Sequence, residues 1–160
     1  MRFSEPPEAR VPSLRWQLHV FKGTEAIGDG PLYVCKQSAY LFGRDSRIAD
    51  IETLHPSCSS QHAVLQFRLV DVHGKFRPDG SPIQTVRPYV LDLESSHGTF
   101  LNDERVAPAR YVQLRARDTL RFGVSSREYV LMHDRMKELA GAGVPKGGRG
   151  PGTAAGGAGT

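Results

Sequence analysis

Apolar and polar residues alternate along most of this chain, and this period of two restricts its fold more than any other feature. Residues 14–20 alternate strictly, and residues 64–69 do so after their first position. Successive side chains of a β-strand point to opposite faces, whereas a helix would need apolar spacings of three and four. Further strand-like runs occupy residues 31–34, 39–42, 86–93, 99–101, 119–122 and 129–132. Many short strands punctuated by Gly, Pro, Asn and Asp turns predict an all-β sandwich.

The two ends of the chain differ from this pattern. Residues 1–13 contain Pro6, Pro7 and Pro12 among charged residues, which predicts an extended N-terminal arm. Residues 135–140 are a candidate for one short helix after the last strand. Residues 141–160 are rich in glycine and poor in apolar side chains, so we expect a disordered tail. The folded domain is therefore expected over residues 14–134.

Composition narrows the class of protein. The 160 residues are enough for one domain with one core. The net charge of +4 falls to +2 without Lys146 and Arg149 of the tail, which is too little to indicate a nucleic-acid groove. Two unpaired cysteines, Cys35 and Cys58, favour a reducing intracellular compartment. No apolar run has the length of a membrane span, and we expect a soluble, monomeric protein.

The first polar cluster is Gly43-Arg44, directly after the apolar strand of residues 39–42. Arg44 should leave the sheet where a loop begins, and a guanidinium grips phosphate through paired donors. A surface arginine after a glycine bulge would give the same dipeptide. The dipeptide alone therefore leaves the role of Arg44 open.

The second cluster, Ser59-Ser60-Gln61-His62, immediately precedes the strand that begins at Ala63. The hydroxyls of Ser59 and Ser60 can donate to a phosphate oxygen, and His62 can hold the loop from inside by bonding to backbone. A serine-rich turn with a buried histidine explains the same residues without a ligand.

The third cluster, residues 92–102, is the most specific. It combines a strand end, the turn Ser95-Ser96-His97-Gly98, a short strand and Asn102 at a second turn. This arrangement presents Ser96 and His97 outward, while Gly98 allows a backbone conformation that a side chain would forbid. Together the three clusters predict a site that reads a phosphorylated peptide.

In this order the three clusters resemble the signature of the forkhead-associated (FHA) domain: Gly-Arg, Ser-x-x-His, then Ser-x-Asn-Gly-Thr with a further Asn. Sequences such as His55-Pro56-Ser57-Cys58-Ser59 are similar to one subgroup, the Smad nuclear interacting protein family with plant Dawdle and the FHA subunit of the yeast pre-mRNA retention and splicing complex. The resemblance covers roughly residues 3–134. It implies a β-sandwich of two twisted, mainly antiparallel sheets whose loops bind phosphothreonine.

The resemblance also implies a role for each residue of the signature. Arg44 and Ser59 would bind the phosphate, with Ser60 and Ser96 as further donors. His97 stands where most of the family has asparagine, and it would contact the peptide backbone beyond the phosphothreonine. The remaining signature residues would support the binding loops: Gly43, His62, Gly98 and Asn102. The expected function is phosphothreonine-peptide binding in a nuclear protein linked to pre-mRNA splicing and retention or to small-RNA processing.

Catalysis and metal binding are weaker interpretations of the same residues. Ser59 and His62 are too close in sequence for an ordinary catalytic triad, and no Gly-x-Ser-x-Gly elbow is present. The spacing of His55, Cys58, His62 and His97 matches no closed zinc site. We therefore expect neither an enzyme nor a bound metal or cofactor.

The main alternative is an FHA-fold scaffold that binds splicing proteins or RNA without phosphate. The segment from Asp71 to Pro88, expected here as a hairpin loop, carries Lys75, Arg77 and Arg87 beside Phe76 and could form a small basic patch. The expected partners are a phosphothreonine-containing protein and subunits of a spliceosomal or RNA-processing complex, with direct RNA contact the weaker case and no membrane.

Overall fold

Twelve β-strands make up nearly all the regular structure of residues 3–136, the part of the chain that the computed structural model describes. The strands are β1 (Trp16–Lys22), β2 (Glu25–Ala26), β3 (Leu32–Tyr33), β4 (Ala39–Gly43), β5 (Ile51–Glu52), β6 (Ala63–Phe76), β7 (Pro82–Asp92), β8 (Thr99–Leu101), β9 (Glu104–Arg105), β10 (Tyr111–Gln113), β11 (Thr119–Phe122) and β12 (Arg127–His133). The expectation of an all-β fold is confirmed. The strands missed by the sequence pattern are two or three residues long, which is too short for an alternation to register.

The strands form two sheets. Seven strands make one sheet in the order β2-β1-β12-β11-β8-β9, with β3 also paired to β1, and five make the other in the order β10-β7-β6-β4-β5. Every strand pair is antiparallel except β4 with β5. The two twisted, mainly antiparallel sheets that the sequence predicts are therefore present.

The core lies between the sheets and follows the alternation of the sequence. On β1, Trp16 and Leu18 are buried in the main core cluster, and on β4 Phe42 is fully buried. Leu65 and Phe67 of β6 belong, like Phe42, to the five-stranded sheet, and the ring of Phe67 lies 6.2 Å from that of Trp16 on the other sheet. Each such side chain stabilises the fold by roughly 1.5–3 kcal/mol when fully buried. Burial therefore sets which face of each long strand points into the core, and this also positions the loops at the ends of the strand.

Strands β6 and β7 extend well beyond the sandwich as one hairpin. Their pairing runs from Ala63 opposite Asp92 to Phe76 opposite Pro82, with a register shift between Asp71 and Phe76. The expected loop over residues 71–88 is therefore wrong in its extent, because only residues 77–81 form the turn. Thirteen rises of about 3.3 Å place the hairpin tip roughly 40 Å from the Ala63 end of β6.

The N-terminal residues lie along the edge of β6. Ala9 forms an isolated antiparallel bridge with Arg68, and the carboxylate of Glu8 lies 2.6 Å from the Arg68 guanidinium. The Arg68 guanidinium also lies over the rings of Tyr89 and Tyr111. The segment expected as an extended arm thus pairs with a strand edge that β4 leaves uncovered, which protects that edge from other chains.

The described residues end in a single 3-10 turn, Asp134–Met136. The short helix expected over residues 135–140 is not formed at its first two residues, which belong to this turn, and its other residues lie outside the described part. The expected tail of residues 141–160 also lies outside it. Within residues 3–136 no helix is long and apolar enough to cross a membrane.

Candidate functional site

Three loops meet at the end of the sandwich opposite the hairpin tip. They follow β4, precede β6 and join β7 to β8, and each carries one of the polar clusters. The Arg44 amide donates to the Ser59 carbonyl at 3.0 Å, and the Ser96 amide donates to the Ser59 hydroxyl at 3.2 Å. Residues separated by up to 37 positions in sequence are therefore adjacent.

The Arg44 side chain is anchored through its Nε atom. Its Nε donates to the Cys58 carbonyl at 2.8 Å, whereas its two Nη atoms have no hydrogen bond or ion pair within residues 3–136. The loop that contains Ser60 packs directly against the end of β4 because Gly43 has no side chain. A Cβ on Gly43 would lie 2.1 Å from the Ser60 carbonyl oxygen. Gly43 thus lets the backbone of the second cluster close onto β4, and Arg44 presents its outer donors to solvent.

The serine hydroxyls line the same opening. The Ser59 hydroxyl accepts the Ser96 amide and keeps its own hydrogen available to donate. Ser60 and Ser96 are exposed, and no partner is found for either hydroxyl in the described part of the chain. The opening therefore offers guanidinium and hydroxyl donors, which suit an anion with several oxygens.

His62 fixes these loops from inside the protein. It is fully buried, its Nδ1 accepts from the Ser59 amide at 3.0 Å, and its Nε2 donates to the Gly98 carbonyl at 2.9 Å. These partners assign the neutral ring with its hydrogen on Nε2. Burial lowers the pKa of His62, which keeps the ring neutral, although the Gly98 bond and the nearby Asp92 carboxylate act in the opposite direction.

Asp92 is the site residue that the sequence reasoning missed. Its side chain is 2% exposed and accepts from the Ser95 amide at 3.0 Å, the Ser95 hydroxyl at 2.7 Å and the Thr99 hydroxyl at 2.6 Å. The Ser95 hydroxyl in turn accepts from the Gly98 amide. The sequence did contain a signal for this role: Asp92 is an acidic residue at the end of an apolar strand, directly before a serine-rich turn.

His97 and Gly98 shape the outer rim. The Nδ1 of His97 lies 3.1 Å from the Ser57 carbonyl, so Nδ1 carries the hydrogen and Nε2 remains an acceptor toward solvent. Gly98 has a φ of +88°, and a Cβ there would lie 2.6 Å from Nε of Arg105. Backbone conformation and a neighbouring side chain both require glycine at this position.

Asn102 lies at the other end of the short strand β8. Its side-chain amide donates to Asp118 at 2.9 Å, and its side-chain oxygen accepts from the Thr119 amide at 2.9 Å. These bonds fasten the β8–β9 turn to the start of β11. Asn102 therefore contacts none of the three loops directly through these bonds and acts on them only through β8.

The arrangement does not pair Ser59 with His62 as a nucleophile and its base. His62 accepts from the backbone amide of Ser59, not from its hydroxyl, and its other nitrogen is bonded to Gly98. Among residues 3–136 no group of three or more His, Cys, Asp or Glu side chains could hold a metal ion.

The residues of the candidate basic patch lie away from this site, on the long hairpin. Phe76 is 63% exposed, but Arg77 bonds back to Ser81 and Pro82 within the turn. Arg87 lies opposite Arg68 in the pairing of β6 with β7. The patch is therefore dispersed along the hairpin.

Comparison with known proteins agrees with the resemblance seen in the sequence. The FHA domain model matches residues 40–123. Smad nuclear-interacting protein 1 of Mus musculus is 53% identical over 134 residues, which are 84% of this chain and 34% of that protein. The FHA domain-containing protein DDL of Arabidopsis thaliana is 52% identical over 136 residues, 85% of this chain and 42% of that protein. The chain thus spans well under half the length of these relatives.

A solved structure shares the fold over nearly its whole length. The yeast Pml1 splicing factor, described with its integration into the RES complex, superposes with a TM-score of 0.67 at 26% identity, covering 84% of this chain and 98% of that one. The match of the family model extends over more than half of the chain and includes all three loops of the site. This chain therefore belongs to the FHA domain family.

Proposed function

We propose that this chain is a phosphothreonine-peptide-binding module of a nuclear protein that takes part in pre-mRNA splicing and retention or in small-RNA processing, where it recruits a phosphorylated partner. The observation that carries the proposal is the pair of unpartnered Nη atoms of Arg44 beside the hydroxyls of Ser59, Ser60 and Ser96. A phosphothreonine brings about −1.5 to −2 charges and three acceptor oxygens near neutral pH. These donors match that group in charge and in hydrogen-bonding capacity.

Each residue has a distinct role in this proposal. Arg44 and Ser59 bind the phosphate, and Ser60 and Ser96 add donors. His97 contacts the peptide backbone through Nε2, the ring nitrogen that the Ser57 bond leaves open. Four residues support these loops without touching the ligand: Gly43, His62, Gly98 and Asn102. We propose residues 14–134 as the extent of the module, preceded by the arm of residues 1–13.

The nuclear and splicing parts of the proposal rest on the relatives. The mouse protein is named as a nuclear-interacting protein, and yeast Pml1 is described as a splicing factor of the RES complex. The proposed partners are therefore phosphorylated proteins among spliceosomal or RNA-processing subunits. Recovery of such subunits from nuclear extract by the wild-type chain, and its loss after phosphatase treatment, would support this assignment.

Binding to a phosphothreonine peptide library by fluorescence anisotropy tests the proposed site. We compare wild type, Arg44→Ala and Arg47→Ala; Arg47 is a matched control because it lies in the same loop but is bonded to Asp45. Each charged hydrogen bond is worth about 1.5–3 kcal/mol, so Arg44→Ala should weaken binding at least about tenfold. Arg47→Ala should bind like wild type.

Two outcomes would contradict the proposal. The first is equal affinity of wild type and Arg44→Ala for phosphothreonine peptides. The second is equal affinity for phosphorylated and unphosphorylated peptides. Binding to RNA that falls steeply with salt and survives Arg44→Ala would instead support the phosphate-independent scaffold.

A further inference from the structure

Arg105 of β9 lies against the outer flank of the turn that carries Ser96 and His97. The position of a Cβ on Gly98 would be 2.6 Å from Arg105 Nε and 2.9 Å from its Cζ, so the guanidinium packs over the Gly98 backbone. Arg105 is an exposed residue, yet its side chain turns back toward the loop. The turn is thus bordered by Arg105 on one flank and by the loop of Ser59 on the other.

No acidic side chain neutralises Arg105 within the described part of the chain. Phe100 pairs with Arg105 on one side and with Arg121 on the other, which places these three residues on one face of the sheet. Asp103, in the turn between β8 and β9, forms its ion pair with Arg121 at 3.7 Å. Glu104 precedes Arg105 on the strand and therefore points to the opposite face.

The acid of the turn itself is also directed elsewhere. Glu94 lines a cleft over the five-stranded sheet together with Leu91 and Tyr111. The ring of His97 is bonded through Nδ1 to the Ser57 carbonyl. Two arginines that form no ion pair within 4 Å in residues 3–136 therefore lie beside this turn: Arg105 packs over Gly98, and Arg44 lies in the loop whose neighbour Ser59 bonds to Ser96.

From this juxtaposition we propose that Arg105 binds a second acidic group on the phosphopeptide, within a few residues of the phosphothreonine. An extended peptide advances about 3.3 Å per residue, so a ligand anchored at Arg44 that crosses the turn would reach Arg105 within a few positions. A guanidinium accepts a carboxylate or a phosphate through two parallel bonds. The preferred ligands are thus phosphothreonine peptides with a flanking Asp, Glu or second phosphate.

This inference rests on the proposed function, and a peptide series separates the two. A phosphothreonine peptide with uncharged flanks is the reference, and Asp is placed singly at each of the four positions on either side. Phosphoserine then replaces Asp at the best position, which distinguishes a carboxylate from a second phosphate as the preferred group. The measured quantity is the ratio of the affinity for each acidic peptide to that for the reference.

The expected ratio for wild type is about fivefold at one or two positions for Asp and about tenfold for phosphoserine, at low ionic strength. Arg105→Gln should bring both ratios near one, and Arg105→Lys should keep part of the gain because the charge remains. Lys75→Gln is the matched control, since it removes one exposed positive charge from the distant hairpin and should keep the wild-type ratios.

Ratios near one for wild type at every position, or ratios that survive in Arg105→Gln, would overturn the acidic subsite alone. Failure of the reference peptide to bind wild type would overturn the proposed function and the subsite with it. Thermal melting of Arg105→Gln, expected to match wild type because the side chain is exposed, distinguishes loss of the subsite from loss of the fold.

Discussion

Two turns of this molecule use the same local chemistry and have different surroundings. In the turn between β7 and β8, Asp92 accepts from the amide and hydroxyl of Ser95. In the tip of the β6–β7 hairpin, Asp79 accepts from the amide and hydroxyl of Ser81 at 2.9 and 2.6 Å. In both turns an Asp therefore accepts from the amide and hydroxyl of a following Ser, three residues on in the first turn and two residues on in the second.

The surroundings decide what each turn can do. Asp92 is buried, also accepts from Thr99, and lies 4.0 Å from His62, which joins the turn to the loop of Ser59. Asp79 belongs to a turn closed by its own short-range bonds, such as the Arg77 amide to the Ser81 carbonyl. A local turn motif fixes a shape, but only a turn braced by other strands can hold donors in position for a ligand.

Replacement of the buried carboxylate should produce the largest effect. Asp92→Ala leaves the hydroxyls of Ser95 and Thr99 and the Ser95 amide without their acceptor, so we expect the free energy of unfolding to fall by about 3 kcal/mol or more. Phosphopeptide affinity should fall in parallel in the fraction that remains folded. Chemical denaturation and anisotropy measure the two quantities. A stability within 1 kcal/mol of wild type would show that burial of Asp92 is not what distinguishes the turns.

The next effect in size concerns two glycines, one at the end of β4 against the loop of Ser60 and one in the hairpin tip. Gly43→Ala forces the Ser60 carbonyl to move, and such overpacking costs about 1–3 kcal/mol. Because Ser60 belongs to the proposed phosphate site, peptide affinity should also fall. Gly80→Ala is the control: Gly80 has a φ of +91° but nothing within 4 Å of its Cβ position. It should strain only the hairpin tip and leave peptide affinity unchanged, and a loss of affinity as large as that of Gly43→Ala would contradict this distinction.

A smaller effect should follow from pH, because the bracing ring of His62 is neutral. Burial lowers the pKa of His62 below its usual value of 6.5, so below that pH the unfolded chain binds more protons than the folded one. Stability should therefore fall as pH decreases from 7.5 to 5.5, by at most about 1.4 kcal/mol per pH unit for this group. The pKa of His133 is lowered in the same direction by burial, and His133→Asn removes that contribution.

NMR titration separates the bracing histidine from the rest of the protein. The ring signals of His62 should not titrate near pH 6.5 while the protein remains folded. The protection factors of the amides in residues 93–98, corrected for the intrinsic pH dependence of exchange, should fall at lower pH more than those in residues 77–81. Titration of the His62 ring at its usual pKa would contradict its role as a neutral brace.

The smallest effect is expected at the hairpin tip. The Ser81 bonds lower the pKa of Asp79, but this carboxylate is exposed to solvent and screened. Asp79→Ala should therefore leave the midpoint of thermal unfolding and the affinity for phosphopeptide nearly unchanged, with exchange faster only in residues 77–81. A drop in stability comparable to that of Asp92→Ala would show that the two turns do not differ as their surroundings indicate.

Parts of the fold and site could be predicted because they depend on neighbouring residues. Alternation located β4 and β11 almost to the residue, and the residue types of Arg44, Ser59 and Ser96 indicated donors for an anion. The extent of the β6–β7 hairpin could not be predicted, since its mostly exposed residues 71–76 are strand only by pairing with residues 82–84. Likewise, the packing of Arg105 over Gly98 depends on a turn that brings β9 back beside β8.

By itself, the sequence determined the all-β class, the burial of alternate side chains and the kinds of donors available, because these depend on side-chain chemistry and on a period of two residues. Tertiary structure decided which polar turn is braced beside the loops of the candidate site. The bonds that decide it join residues 36 and 37 positions apart, His62 to Gly98 and Ser59 to Ser96. Asp92 and Asp79 each accept from the amide and hydroxyl of a nearby Ser, and packing against a second set of strands, which removes water and leaves no alternative partners, distinguishes the brace from the exposed turn.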